Sequence, residues 1–433
     1  MPRQAPLSGT TRPPTAGGWK PFIPVAGKMQ ALPYGLALET PQSGAKSVKK
    51  AQGANAPTAA PQRRAAPGAR PLCVAVMAGG TGGHVFPALA VAEVLRGRGV
   101  HVFWIGTRAG MEARLVPEHG FEMEWVAIQG VRGKGLKALL TAPWKLAAAV
   151  REAAAILKRR APQTVLGMGG FVAGPGGLAA KLQGRALVIQ EQNSVPGLTN
   201  QWLARIADRA FEAFPGSFPA RRHAIASGNP VRAAIAALPA PAVRLRGRTG
   251  QARLLVVGGS LGAKALNETV PAALALLAEN ERPRVRHQAG EKTLAVAETA
   301  YVEAGIEAEV TPFIADMADA YAWADLVVCR AGALTVSEIA AVGLAAIFVP
   351  FPFAVDDHQV GNARWLSDAG AARLIIQKGL TPAMLAAQLR ELLADPDKRL
   401  AMAEAGRARA RTDAAERIAD ACLELAARSE QQT

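Results

Sequence analysis

Leu72-Cys73-Val74-Ala75-Val76-Met77-Ala78-Gly79-Gly80-Thr81-Gly82-Gly83-His84 is the stretch that decides the fold class. A short apolar run ends in a glycine turn, and the turn leads into the helical pattern Pro87 to Arg96, so the unit reads as strand, turn, helix. The same design restarts at Arg253-Leu254-Leu255-Val256-Val257, turns at Gly258-Gly259-Ser260-Leu261-Gly262 and continues as a helix through Ala263 to Ala278. Between and after these starts, the apolar runs Val100 to Ile105, Thr164 to Met168, Ala186 to Ile189, Val285 to Gln288, Leu326 to Cys329 and Ala345 to Val349 alternate with helical stretches. Strands that alternate with helices imply parallel sheets covered on both faces. The expected fold is therefore α/β, with two Rossmann-like domains in tandem and a boundary near Pro230 to Thr249, where Pro, Arg and Gly replace the periodic pattern. The expected limits are 71–231 for the first domain, 232–413 for the second and 414–433 for a C-terminal helix able to pack back on the first.

Composition narrows the function classes. Of the 433 residues, 50% are hydrophobic and 19% charged, a globular balance. The net charge of +16 invites a nucleic-acid reading, but residues 1–70 hold ten Lys/Arg against Glu39 alone, so more than half of the excess sits there. That segment is rich in Pro, Ala and Gly without apolar periodicity and reads as a disordered extension rather than a signal or transit peptide. No nucleic-acid partner is expected. Cys73, Cys329 and Cys422 lie far apart, which suggests neither a disulfide framework nor a zinc site. The most apolar region, Leu326 to Val355, is broken by Arg330 and Glu338, short of the roughly 18 apolar residues of a membrane span.

Three glycine-rich turns carry the chemistry. Gly79 to His84 sets backbone amides at a helix start, where an anionic or hydroxyl-rich ligand is favoured, and it matches neither the P-loop nor the GxGxxG spacing. His84 at its mouth is either a structural histidine or a proton acceptor. Gly258 to Gly262 is a second anion cradle with the Ser260 hydroxyl available. The glycine-dense run Gly167 to Gly177 favours close backbone approach to a ligand over a plain turn. Glu338 follows the buried strand Leu326 to Cys329; it suits a ribose, but Thr335 with Glu338 also spells a capping box, and the residues alone favour the cap.

Together these segments resemble the MurG family of glycosyltransferases. The resemblance runs in order through Met77 to Ala90, Gly130 to Gly135, Gly167 to Gly177, Glu191-Gln192-Asn193, Gly228 to Arg232, Val257 to Ser260, Ala320 to Asp325, Cys329 to Glu338 and Asp356-Asp357-His358-Gln359. It implies a GT-B fold, two Rossmann-like domains facing across a cleft. It implies transfer of N-acetylglucosamine from UDP-N-acetylglucosamine to an undecaprenyl-pyrophosphoryl muramyl pentapeptide (lipid I), giving lipid II. The first domain would face acceptor and membrane, the second the UDP-sugar. Carried over by position, Ser260 becomes the diphosphate cradle, Ile314 the uracil contact and Glu338 the ribose ligand, within the donor segment Ala333, Leu334, Thr335, Val336, Ser337 and Glu338. Gln359, Thr81, Gly82, Gly83 and Asn193 become contacts to the donor sugar, and Arg232 adds positive charge near the nucleotide. Gly169, Gly170, Gly174 and Gly176 would receive the acceptor pyrophosphate. Many members have His where Gln190 stands here, so that position offers no base; His84 stands first and Glu191 second.

The resemblance implies no cofactor and no metal. Helical spacing of Leu136, Leu140 and Trp144 beside Lys137, Lys145, Arg151, Lys158, Arg159 and Arg160 suggests a face seated on an anionic membrane surface, peripheral and on the cytoplasmic side of the inner membrane, where other cell-wall synthesis proteins are potential partners. Rival readings are another GT-B transferase, a UDP-sugar 2-epimerase and a nucleotide-binding protein without catalysis.

Overall fold

The computed structural model describes residues 72–128, 135–259, 262–354 and 357–431, with backbone alone at 135–140 and 430. The expected extension 1–70, Gly130 to Lys134, Ser260 and Asp356 lie outside the described residues.

The first half runs β1 (Cys73–Met77), α1 (Gly82–Gly97), β2 (His101–Gly106), α2 (Glu112–Glu118), β3 (Glu122–Trp125), α3 (Gly135–Arg160), β4 (Thr164–Gly167), α4 (Ala173–Leu182), β5 (Ala186–Glu191), α5 (Leu198–Leu203), β6 (Arg209–Glu212) and β7 (Ile225–Ala226). These strands form one parallel sheet in the order β3-β2-β1-β4-β5-β6-β7. Alternate side chains of β1 serve opposite cores, as the two-residue period of a strand requires. Val74 and Val76 pack with α1, while Cys73, Ala75 and Met77 pack with α3 and α4.

Two short helices, α6 (Ala233–Ala236) and α7 (Pro241–Arg244), lead to the second half: β8 (Arg253–Val257), α8 (Lys264–Ala275), β9 (Arg284–Gln288), α9 (Leu294–Glu303), β10 (Glu309–Thr311), α10 (Met317–Trp323), β11 (Leu326–Cys329), α11 (Ala333–Val342), β12 (Ala345–Phe348), α12 (His358–Ser367), β13 (Ala372–Leu374), α13 (Pro382–Ala394), α14 (Pro396–Arg409) and α15 (Ala414–Gln431). Its parallel sheet is ordered β10-β9-β8-β11-β12-β13. Leu255, Val257, Val327 and Cys329 face one core, and Leu254, Val256, Leu326 and Val328 the other.

The last helix leaves the second sheet and returns to the first. Ile418, Ala419, Cys422 and Leu425 of α15 enter the core shared by β1 and α1, and the Thr164 hydroxyl donates to the Cys422 carbonyl at 2.9 Å.

In each sheet the strand order reverses at one crevice, between β1 and β4 and between β8 and β11. Ligands of open α/β sheets bind beyond the carboxyl ends of strands at such switch points. The glycine turns after β1, β4 and β8 and the start of α11 after β11 all lie there.

Candidate active site

The first glycine turn is braced from below. Glu112, fully buried on α2, accepts from the Gly80 N–H at 2.9 Å and from the Thr107 N–H and hydroxyl at 3.0 and 2.7 Å. The Gly80 amide is thus committed inward and is not among the donors open to a ligand. The amides of Gly82 and Gly83, in the first turn of α1, have no acceptor within the helix and remain the donors a ligand would meet. Sequence reading missed Glu112, which belongs to no motif.

The third turn packs against the first. Gly169 and Gly170 have φ of +94° and +82°, and a Cβ on Gly170 would lie 2.4 Å from the Gly79 carbonyl oxygen. A Cβ on Gly169 would lie 2.6 Å from the His84 ring. Gly176 is different: it is buried in α4, and a Cβ there would lie 2.1 Å from the Met77 sulfur. The missing side chain there makes room for the core of the first sheet. Gly174, half-buried on the first turn of α4, faces Thr199.

His84 sits half-buried between these turns. Nδ1 lies 3.3 Å from the Thr81 hydroxyl. Burial, chiefly, and then nearby His358 lower its pKa to about 4, while Glu112 pulls the other way. The imidazole is therefore neutral at physiological pH. Glu191 is turned away from such work: its two oxygens accept from the Asn193 N–H and side chain, the Gly197 N–H and the Asn200 side chain, at 2.9 to 3.2 Å. Burial raises its pKa against those bonds. The carboxylate shapes the loop from Gln192 to Gly197, and the geometry speaks against it as the base.

Gln190 is fully buried and bridges the two halves. Its Nε2 donates to Asn229 Oδ1 at 3.1 Å, and Asn229 Nδ2 donates to the Ser337 hydroxyl at 3.0 Å and the Gln192 carbonyl at 3.0 Å. A second bridge joins the β5 loop to α12. The Ser194 N–H donates to Asn362 Oδ1 at 2.9 Å, its hydroxyl donates to the His358 carbonyl at 3.1 Å, and Asn362 reaches Asn193 Oδ1 at 3.4 Å.

On the facing wall, α11 begins at Ala333 behind Gly332, which has no side chain to cap it. The expected capping box of Thr335 and Glu338 is absent, because both residues lie inside the helix. Glu338, 3% exposed, accepts instead from Arg232 Nε and Nη2 at 3.1 and 2.8 Å and from the Tyr321 hydroxyl at 3.2 Å. Burial raises its carboxyl pKa more than Arg232 lowers it. Leu334 and Thr335 are half-buried, whereas the Val336 side chain is in the core, so any ligand contact there is through backbone. Gln359 on α12 accepts from the Phe351 N–H at 3.0 Å, and Ile314 lies in the loop after β10, half-buried. Gly259 has φ of +86° at the end of β8; Ser260 beside it is outside the described residues. Arg232 stacks over Phe86 of α1 at 5.5 Å, which brings the first glycine helix against the α11 side.

Models of the glycosyltransferase family 28 N-terminal domain and C-terminal domain match residues 74–212 and 253–418. A protein of Xanthomonas axonopodis pv. citri (strain 306), named UDP-N-acetylglucosamine–N-acetylmuramyl-(pentapeptide) pyrophosphoryl-undecaprenol N-acetylglucosamine transferase, is 56% identical over 367 residues, 85% of each chain. One of the same name from Marinobacter nauticus is 54% identical over 81% of this chain and 97% of its own. The chain belongs to the MurG family. The crystal structure of Acinetobacter baumannii MurG superposes with a TM-score of 0.71 at 43% identity, covering 82% of this chain and all of the other. The architecture is accordingly the GT-B fold, and the activity class is N-acetylglucosamine transfer. Among the described residues, no group of three or more His, Cys, Asp or Glu forms a metal site, and no helix is long and apolar enough to cross a membrane.

Outside the cleft, the MurG-family chain exposes a run of apolar side chains on three neighbouring helices and their loops. Trp144 and Leu146 lie on α3, Phe171, Leu178 and Leu182 on and before α4, and Leu198 and Trp202 on α5. Trp144 is 79% and Trp202 68% exposed. Arg159 and Arg160, expected on a lipid face, pair with Glu124 and Glu122 of β3. The side chains of Leu136, Lys137 and Leu140 lie outside the described residues.

Proposed function

We propose that this cleft transfers N-acetylglucosamine from UDP-N-acetylglucosamine to the C4 hydroxyl of undecaprenyl-pyrophosphoryl-MurNAc-pentapeptide with inversion, forming lipid II for peptidoglycan. The observation that carries the reading is the facing of two walls: neutral His84 beside Gly82, Gly83, Gly169 and Gly170 on one side, and the starts of α11 and α12 on the other.

The C4 hydroxyl attacks the anomeric carbon as UDP leaves from the opposite face, and His84 takes the hydroxyl proton. Charge accumulates on the departing diphosphate. The Gly259 turn with Ser260 and the positive start of α11 stabilise it. Arg232 has a dual role in this scheme. In the structure it neutralises Glu338; a bound diphosphate draws the guanidinium away, and the ribose hydroxyls take its place on the carboxylate. Thr81, Asn193 and Gln359 contact the donor sugar, Ile314 the uracil, and Ala333 to Ser337 the nucleotide. The acceptor pyrophosphate meets Gly169, Gly170 and Gly174.

The exposed Trp144, Leu182, Leu198 and Trp202, with Lys145, Arg151 and Arg205, support seating on an anionic membrane surface at its cytoplasmic side, where the lipid-linked acceptor resides. Steady-state transfer with labelled UDP-N-acetylglucosamine and the lipid-linked acceptor tests the scheme. Glu338→Ala should raise the donor KM far more than it lowers kcat, since ribose contacts change little between ground and transition states. An unchanged donor KM removes Glu338 from the donor site.

A further inference from the structure

We propose that Gln192 is a positioning residue for His84, its side-chain carbonyl holding the imidazole proton on Nε2 so that Nδ1 is the nitrogen left to accept a proton at the cleft. The inference rests on the reading of His84 as the base.

Gln192 is 1% exposed, and its amide orientation is fixed. Nε2 donates to the Met168 carbonyl at 2.8 Å and to Gln190 Oε1 at 2.6 Å. A flipped amide would set an oxygen against two oxygens, so the other end of the group must be Oε1. That oxygen is buried and has no hydrogen-bond partner among the described residues. A buried carbonyl without a donor is costly and asks for an explanation.

Its direction supplies one. Oε1 lies 3.5 Å from the point where a Cβ on Gly169 would stand, and His84 Nε2 lies 2.9 Å from the same point. Both atoms border the space that Gly169 leaves without a side chain; they are not hydrogen-bonded in this structure, and the ring meets the carbonyl by moving into that space. On the other edge of the ring, Nδ1 faces the Thr81 hydroxyl at 3.3 Å. A neutral imidazole carries one proton, and an acceptor beside one nitrogen keeps the proton there and frees the other. The other ionisable groups that act on His84 are Glu112 and His358. Glu112 already accepts from Gly80 and Thr107, so it does not compete for the ring proton.

The chain of amides behind Gln192 explains Gln190 as well. Gln190 offers one acceptor to Gln192 and one donor to Asn229, and Asn229 is tied to Ser337 of α11. The position therefore serves as a hydrogen-bonded brace that a neutral amide fills, and no base is needed there.

The test is the tautomer of His84, read by long-range 15N–1H correlation on the full-length 15N-labelled protein at pH 7, with His84 signals identified by their loss in His84→Gln. The expected wild-type pattern has the proton on Nε2. Gln192→Met removes the acceptor; the proton should redistribute toward Nδ1, and kcat should fall about tenfold with the donor KM within twofold. Gln192→Asn withdraws the carbonyl by one methylene while keeping an amide, and should shift the tautomer the same way if the Met variant does not fold. A wild-type proton on Nδ1, or an unchanged pattern in a folded Gln192 variant, overturns the proposal. If His84→Ala keeps full kcat, the base reading fails while the tautomer result still judges Gln192.

Discussion

Replacing Arg232 by Ala withdraws two donors, at 3.1 and 2.8 Å, from a carboxylate that is 3% exposed and then keeps only the Tyr321 hydroxyl at 3.2 Å. Removing one partner of a buried ion pair typically costs ~3–5 kcal/mol. The Arg232 side chain is 33% exposed, so solvent screens part of its pull and ~2–3 kcal/mol is the better expectation. Glu338 has an escape, because it can take up a proton. Burial already lifts its carboxyl above the ordinary 4.5, and losing Arg232 lifts it further. A carboxyl with a raised folded pKa binds its proton more tightly folded than unfolded, so the variant loses stability as pH rises above 4.5, by about 1.4 kcal/mol per unit. Wild type shares that loss up to its own raised carboxyl value, so the gap between the two proteins opens only above it and then closes on the ceiling of ~2–3 kcal/mol. Urea unfolding of wild type and Arg232→Ala, followed by tryptophan fluorescence between pH 4.5 and 8, should show a midpoint gap that is small at the acid end and widens to a plateau near neutrality. Glu338→Gln, which removes the charge and keeps the shape, should show no such slope. A gap of equal size at pH 5 and pH 8 would refute the claim that Arg232 holds the Glu338 charge.

The kinetics of His84 should follow its depressed pKa: wild-type kcat stays flat down to about pH 5 and falls with unit slope only near the imidazole value of about 4, while His84→Ala loses ~100- to 10,000-fold in kcat and loses that limb. His287, buried between Tyr301 and Asn267 and held near 3 by burial, binds its proton better unfolded. Its contribution is complete above the ordinary 6.5 and is lost as pH falls, ~2–3 kcal/mol by pH 4.5; His287→Gln should flatten the drop in Tm between pH 7.5 and 4.5. Trp144→Glu with Trp202→Glu should reduce sedimentation with anionic vesicles while leaving Tm unchanged, since both rings are exposed; undiminished vesicle binding would remove these helices from the membrane face.

The two-domain α/β plan was legible because the central strands are buried on both faces and read as unbroken apolar runs, as at Leu326 to Cys329, where reading and structure coincide. Edge strands escaped. Glu122-Met123-Glu124-Trp125 and Glu309-Val310-Thr311 are half-exposed and carry too little apolar signal to separate from loop. The first helix starts earlier than its pattern from Pro87 suggests: α1 begins at Gly82, because packing overrides glycine's weak helix preference. At the site, His84 and the glycine turns announced themselves by composition. The pairings that orient them did not. Glu112, Gln192 and Asn229 act through contacts between residues far apart in sequence, up to the 108 positions that separate Asn229 from Ser337, and no local pattern encodes such pairs. The same limit hid the reason for Gly176, whose neighbour is a methionine on another strand.

The central claim, that this cleft inverts the anomeric centre of UDP-N-acetylglucosamine onto a lipid-linked muramyl acceptor, is tested most directly by incubating the full-length protein with both substrates and determining the linkage in the product by NMR. One UDP should be released per sugar transferred, with a β-linked N-acetylglucosamine on C4 of the muramyl residue. An α-linked product would contradict the single displacement from the face opposite UDP, and failure to transfer, with the donor recovered intact or epimerised at C2, would contradict the assignment itself.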